Sequence, residues 1–371
     1  MRPTKRQESL FYPAFDFFEV IFISSLIEIW NNVWPYLIAV LMFLILIVIH
    51  EFGHFIVAKL FKVRVNEFAV GFGPKLFKVQ GKETLYRFNL IPFGGYCAME
   101  GEDEESEDPR AFCNAKAYKR FFIVAAGAVF NLILGLIIVA IVVTANPYVV
   151  TTRVARFDDN ALSAQSGLMV EDEIIEIDGR AVYSYYDIAY AFTAVEDGDL
   201  QMKVIRNGEK INLEKVSFAT ESEDGVTFIN LDFKFLAVKK TFLNVVESTF
   251  KTAFSYCRTV WFSLVDLIGG RFGISAVSGP VGVTATIGQA ARLGLMNILP
   301  IMALITINLG VFNLLPVPAL DGGRLIFILL EMILRRPVAK KYEGIVHGVG
   351  LALLLMLMVV VTFKDIFSLI K

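Results

Sequence analysis

Four stretches of this 371-residue chain are apolar and long enough to cross a hydrocarbon core, which takes about 20 residues. They are Trp34–Phe61, Phe121–Ala145, Leu295–Leu320 and Ile345–Phe363. The composition agrees, since 56% of the residues are hydrophobic, too many for an ordinary soluble domain. The net charge of −2 carries no basic excess, so no nucleic-acid partner is expected. Cys97, Cys113 and Cys257 lack metal-type spacing and make no disulfide framework.

Basic residues near membrane ends orient such a chain. The connection between spans 1 and 2 is rich in lysine and arginine from Lys59 to Arg120, and that between spans 3 and 4 carries Arg324, Arg335, Arg336, Lys340 and Lys341. Alternation puts both on one side, expected to be the cytoplasm, with the long 146–294 region outside. Two further apolar segments carry too many charges to be counted as spans. Residues 11–30 include Asp16, Glu19 and Glu28, and 241–270 include Glu247, Lys251, Arg258 and Asp266. Both are expected to be amphipathic helices on the membrane surface; the alternative for 11–30 is a further span, which would put Arg2, Lys5 and Arg6 inside and leave the direction of span 1 unchanged. The "GISAVSGPVGV" segment is expected to turn the chain toward span 3.

Between spans 1 and 2, glycine punctuation and alternating apolar positions in "NEFAVGFGPKLFKVQGKETLYRFNLIPFGGYCAMEGED" predict a small membrane-associated β-structure. Its "TLYRFNLIPF" segment is the expected edge strand, with Arg87, Phe88 and Asn89 the candidate contacts for an extended substrate. The outer region holds a compact pattern. It predicts a short helix in "SAQSGL", a strand turning at Asp178-Gly179, a helix in "YYDIAYAFTAV" and a hairpin turning at Asn207-Gly208. That order resembles a PDZ domain of the kind in bacterial membrane and periplasmic proteases.

The chemistry lies in "IVIHEFGHFIVAK", residues 47–59, inside the first span. Ionisable groups there are costly and usually functional. His50 and His54 are four apart, so on a helix both imidazoles face one side, with Glu51 beside them. H-E-x-x-H supplies two zinc ligands and a general base for water. A catalytic zinc needs a third protein ligand, and Asp321 and His347 are the candidates. Asp321 is better placed. Pro316 and Pro318 end the preceding helix, Gly322 and Gly323 permit a tight backbone, and the carboxylate lies at the membrane end where His54 lies.

These motifs together resemble the site-2 protease family of intramembrane zinc metalloproteases, in the bacterial branch that carries out regulated intramembrane proteolysis. The resemblance runs from about Tyr36 onward through the H-E-x-x-H motif, "GFGP", "IPFGGY", "RFFIVAAGAVFN", "SGPVGV" and "INLGVFNLLPVPALDGG", all in the family's order. It implies that His50, His54 and Asp321 ligate Zn2+, that Glu51 is the catalytic base, and that Asn308 and Asn313 hold substrate near the metal. It also implies single-span membrane proteins or signal-peptide remnants as substrates, release of anti-sigma factors as a leading role, and an upstream site-1-type protease that trims substrates which the PDZ-like module excludes.

The expected fold is a polytopic α-helical membrane protein with about four transmembrane helices, a membrane-associated β-structure and one extracytoplasmic PDZ-like α/β module. Its expected divisions are 1–33, an N-terminal extension; 34–147, the first half of the membrane core; 148–236, the PDZ-like module; 237–294, an amphipathic helix and a Gly-Pro loop; and 295–371, the second half of the core. A metal transporter would spread ligands through several spans, and spans 2 and 4 are nearly bare of them. A catalytically dead scaffold would have no need of Glu51.

Overall fold

The computed structural model describes residues 12–370 except 103, 194, 196, 224, 225, 272, 274–276 and 337–339. Four helices among these are long and apolar enough to span a membrane, over Val33–Leu60, Ala117–Ala145, Met296–Leu314 and Lys341–Ser368. The first lies within α1, Tyr12–Leu60, a single 49-residue helix running through Pro35. At 1.5 Å per residue it is about 74 Å long. The expected break between a surface helix over 11–30 and the first span is therefore absent among the described residues. Pro13 lies in the first turn, where a helix tolerates proline, and at Pro35, in the interior, a lost backbone bond inside a membrane protein is readily compensated locally. Residues 1–11 of the N-terminal extension lie outside the described residues.

After α1 come β1 (Val65–Gln80) and β2 (Leu85–Met99), then α2 (Ala117–Ala145). The two strand runs fold on themselves. Residues 67–70 pair with 95–98 on one side and with 85–88 on the other, and 85–88 pair again with residues 77–80. The spatial order is thus 95–99, 65–70, 85–89, 75–80. Arg87, Phe88 and Asn89 lie inside this sheet, which corrects the expectation that "TLYRFNLIPF" is an edge. The segment cannot be an edge because the chain reverses twice and flanks it on both sides. Its side chains are also engaged. Arg87 donates to Glu67 at 2.8 Å, Phe88 stacks on Phe77 at 5.1 Å, and Asn89 Nδ2 donates to the Gly71 carbonyl at 2.9 Å.

The module that follows α2 contains β3 (Tyr148–Phe157), α3 (Leu162–Gln165), β4 (Glu173–Ile177), β5 (Arg180–Ala181), α4 (Tyr185–Ala191), β6 (Asp199–Arg206), β7 (Glu209–Ser217), β8 (Thr220–Glu223), β9 (Val226–Ile229) and β10 (Phe233–Lys239). Its main sheet runs β10-β3-β4-β6-β7, with β5 paired to β4. The strands close over a core that includes Val154, Ile174, Ile177, Ile188, Val204 and Phe233. Both expected turns are present. Asp178-Gly179 and Asn207-Gly208 have positive φ at both residues, as two-residue hairpins of the primed kind need.

The remaining helices are α5 (Phe242–Ile268), α6 (Pro280–Arg292), α7 (Leu295–Leu314), α8 (Asp321–Leu334) and α9 (Lys340–Ile370). Helix α5 is amphipathic as expected, but it is inverted. Thr249, Thr252, Ser255 and Asp266 are buried, while Phe250, Phe254, Trp261, Val265 and Ile268 are exposed. Its polar face holds the module: Arg180 donates to Asp266 at 2.5 and 2.7 Å, and Ser255 donates to Asp187 at 2.5 Å. The "SGPVGV" segment is more than a turn, because Pro280 begins α6, which packs on α1 through Ile287, Ala290, Ala39 and Met42. Span 3 ends at Leu314, six residues earlier than expected, and α8 follows the turn at 315–320. Ion pairs Arg120–Glu331 and Arg324–Glu102 join the 58–120 connection to the 321–344 connection, so both lie at one end of the helix bundle.

Candidate active site

The site forms where α1 crosses α2. Gly53, inside the histidine motif, makes that crossing close: a Cβ there would lie 2.5 Å from the Ala126 carbonyl oxygen. Gly127 on α2 faces the imidazoles themselves, and a Cβ there would lie 2.4 Å from His54 Nε2. Small residues at a membrane helix interface permit this approach. Here they also open a space that the two rings fill.

Asp321 enters from the other half of the chain, at the first position of α8. Its two following glycines are required by contact. A Cβ at Gly322 would lie 1.9 Å from the Leu315 carbonyl oxygen, and one at Gly323 would lie 2.8 Å from that of Val317. The backbone therefore folds back on itself and turns the carboxylate toward the histidines.

Three atoms converge. His50 Nε2 lies 3.1 Å from Asp321 Oδ2, His54 Nε2 lies 3.3 Å from it, and the two nitrogens are 3.2 Å apart. Ligands at 2.0–2.1 Å around a tetrahedral zinc are separated by roughly 3.3 Å. His54 Nδ1 lies 2.8 Å from the Ile123 carbonyl oxygen, so that nitrogen carries the proton and Nε2 offers its lone pair. His50 Nδ1 lies 3.3 Å from the amide of Asn131, which is fully buried. Among the described residues Asn131 Oδ1 has no hydrogen-bond partner, nor does Asp321 Oδ2. Turning the Asn131 amide end for end gives Oδ1 the His50 Nδ1–H and leaves the second Nε2 lone pair free as well. Three electron pairs then face one point, an arrangement that suits a cation such as zinc.

Glu51 lines the same cavity of about 650 Å³, together with Tyr96, Cys97, Ala98, Met99, Glu102 and Arg324. The strand that passes the site is 95–99. A Cβ at Gly95 would lie 3.5 Å from Glu51 Cγ. No strand pairs with the outer side of 95–99 among the described residues. Cys97 on this strand is a buried thiol, and burial pushes its pKa well up, against the metal-binding thiolate. Asn308 is half-buried and Asn313 buried on α7, and neither lines this cavity. His347 lies on α9, and its Nδ1 accepts the Ala319 N–H at 3.0 Å.

Asn131 and Gly127 enter the sequence reading only within the "RFFIVAAGAVFN" segment and Arg324 only as a basic residue that orients the chain, and neither they nor Glu102 are assigned to the site there. A buried asparagine within a span carries a signal, since an amide in that setting needs a partner. Gly127 and the Ile123 carbonyl carry none, because their roles come from the helix crossing alone.

The family model of peptidase family M50 matches residues 38–357. A provisionally named zinc metalloprotease of Clostridium acetobutylicum is 36% identical over 331 residues, covering 89% of this chain and 96% of that protein. A provisionally named zinc metalloprotease of Fusobacterium nucleatum is 35% identical over 346 residues, covering 90% and 99%. The regulator of sigma-W protease RasP of Bacillus subtilis is 27% identical over 413 residues, covering 88% and 97%. The match takes in His50, His54 and Asp321, all of the second and third apolar helices, and parts of the first and fourth. The chain belongs to peptidase family M50, the site-2 protease family of zinc metalloproteases.

Proposed function

We propose that this protein cleaves single-span membrane proteins, or the signal peptides left in the bilayer, at a zinc site made by His50, His54 and Asp321, with Glu51 as base. The convergence of three donor atoms within 3.3 Å, in a cavity that also contains Glu51, carries this reading. When bound, zinc supplies Lewis acidity toward water and toward a peptide carbonyl. Glu51 takes a proton from the attacking water and returns it to the leaving amine. The Ile123 carbonyl and Asn131 hold the two imidazoles with their Nε2 atoms inward. Gly95 keeps the space beside Glu51 clear for a peptide.

A helical substrate hides its carbonyls in its own hydrogen bonds and has to be drawn out as a strand. The free edge at 95–99 suits this by β-addition, because it passes Glu51. By the family resemblance, Asn308 and Asn313, on the helix that leads to Asp321, hold substrate near the metal. The basic connections at 58–120 and 321–344 favour a cytoplasmic position for this end of the bundle, with the 148–239 module outside. That module is PDZ-like in element order and excludes substrates with large ectodomains until an upstream site-1-type protease has trimmed them. The name of the Bacillus subtilis relative, regulator of sigma-W protease, supports anti-sigma factors as substrates.

The test is cleavage of a membrane substrate, with zinc measured on the same preparations. Glu51→Gln keeps one zinc per chain and does not cleave, whereas Asp321→Ala and His54→Ala lose both. Cleavage by Glu51→Gln at the wild-type rate overturns the assignment of the base, and stoichiometric zinc in Asp321→Ala overturns that of the third ligand.

A further inference from the structure

Asp321 is delivered by a turn, and a residue of α9 holds that turn. The Leu320 N–H donates to the Val317 carbonyl at 3.2 Å, closing a four-residue turn with Pro318 second and Ala319 third. Ala319 has a φ of 73°. Proline followed by a positive φ is the pattern of a type II turn, whose third position favours glycine. Alanine is a poorer choice there, since its Cβ disfavours the left-handed region.

The central peptide, Pro318–Ala319, is the group whose direction separates a type II from a type I turn. Its N–H donates to Nδ1 of His347 at 3.0 Å. Three residues along the same face of α9, Gly350 abuts the turn: a Cβ there would lie 2.3 Å from Pro318 Cβ. With Nδ1 accepting from the backbone, the proton of His347 sits on Nε2, which is buried without a hydrogen-bond partner among the described residues. Further along, α9 is exposed at every residue from Leu351 to Val360 except Leu354. Near its end, Asp365 Oδ2 accepts from the Gly279 and Gly282 N–H groups at 2.9 and 2.8 Å, and Lys364 donates to the Val277 carbonyl at 2.7 Å.

We propose that His347 is a positioning residue for Asp321. By accepting the Ala319 N–H it keeps the Pro318–Ala319 peptide in the type II orientation, against the preference of alanine, and so fixes the approach of the chain to the carboxylate. This rests on Asp321 being a zinc ligand. The fourth span thereby acts on the metal site without contributing a ligand.

The experiment measures zinc affinity of the full-length protein by chelator competition, and the absorption spectrum of its cobalt(II) form. His347→Leu removes the acceptor and weakens zinc binding by about tenfold, with an altered cobalt spectrum. His347→Asn puts an acceptor oxygen near the position of Nδ1 and keeps wild-type affinity. Ala319→Gly alone changes nothing, because glycine takes the positive φ freely. Combined with His347→Leu it restores most of the affinity, a rescue that a packing defect would not give.

If His347→Leu does not fold, Ala319→Val strains the same turn with the histidine in place, and must weaken zinc binding in the same direction. Wild-type affinity in His347→Leu overturns the proposal, as does a loss that Ala319→Gly fails to rescue. Loss of zinc from His347→Asn makes His347 a ligand and also overturns it. Stoichiometric zinc with an unchanged cobalt spectrum in Asp321→Ala instead refutes the ligand assignment, whatever the His347 series gives.

Discussion

Gly127 of α2 stands against His54 of α1 with no room for even a methyl group, since a Cβ at 127 would lie 2.4 Å from Nε2, the nitrogen that faces Asp321. The absence of a side chain at one position shapes the donor set. Gly127→Ala should therefore displace the imidazole, with an overpacking cost of about 1–3 kcal/mol, and zinc per chain should fall well below that of wild type. Gly344→Ala is the control, because nothing lies within 4 Å of a Cβ there. Metal analysis of the purified variants checks the contrast. Equal zinc in both would mean that the rings do not need this space.

Asn131 is expected to act through His50. Asn131→Leu removes the group that holds Nδ1 and should lower zinc affinity by roughly 10- to 100-fold, while Asn131→Asp, which still accepts the Nδ1 proton, should hold zinc far better. Chelator competition reads both. An unchanged affinity in Asn131→Leu would show that His50 is oriented by packing alone.

Substrate should meet the sheet at its free edge. In a cysteine-free Glu51→Gln background, Ala98→Cys should form a disulfide with a cysteine placed near the scissile bond of a substrate. Phe88→Cys, inside the sheet and stacked on Phe77 in the parent protein, should not. A stronger cross-link at 88 than at 98 would move the substrate elsewhere.

The module of residues 148–239 should loosen from α5 in acid. Burial tends to raise the carboxyl pKa of Asp266, but hydrogen bonds from Arg180 and Tyr190 outweigh it and hold the group below its ordinary value. A depressed carboxylate contributes stability above its unfolded pKa of about 3.9. That contribution is lost as pH falls through the lower, folded value. Thermal unfolding followed between pH 6 and pH 3, as two bracketing conditions on the order of the carboxylate range, should drop more steeply for wild type than for Asp266→Asn. Parallel curves would remove Asp266 from the coupling.

Much of this architecture was legible because a membrane simplifies the code. Long apolar runs can only be spanning helices, and two histidines four apart can only share a face. The Asp-Gly and Asn-Gly turns of the module were legible for a similar local reason, a requirement for positive φ. What was hidden depends on partners distant in sequence. The edge strand could not be read from "TLYRFNLIPF", because only the double reversal of residues 65–99 decides which segment is flanked. Helix α6 was hidden by its glycines, which read as a loop until the Asp365 carboxylate is seen capping Gly279 and Gly282. Asp321 lies beside the two histidines as expected, yet the need for Gly322 came from a contact with Leu315 that no local pattern announces.

The donor cluster joins positions 267 residues apart, from His54 to Asp321. A ribosome adding about 5–20 residues per second needs between roughly ten seconds and a minute to travel that distance. Throughout that interval the two histidines have been made, and the carboxylate that joins their cluster does not yet exist. On the proposed ligand set, the metal site stays incomplete while neighbouring proteins are being inserted, and is complete only once residue 321 has been made. Distance along the sequence serves here as a delay.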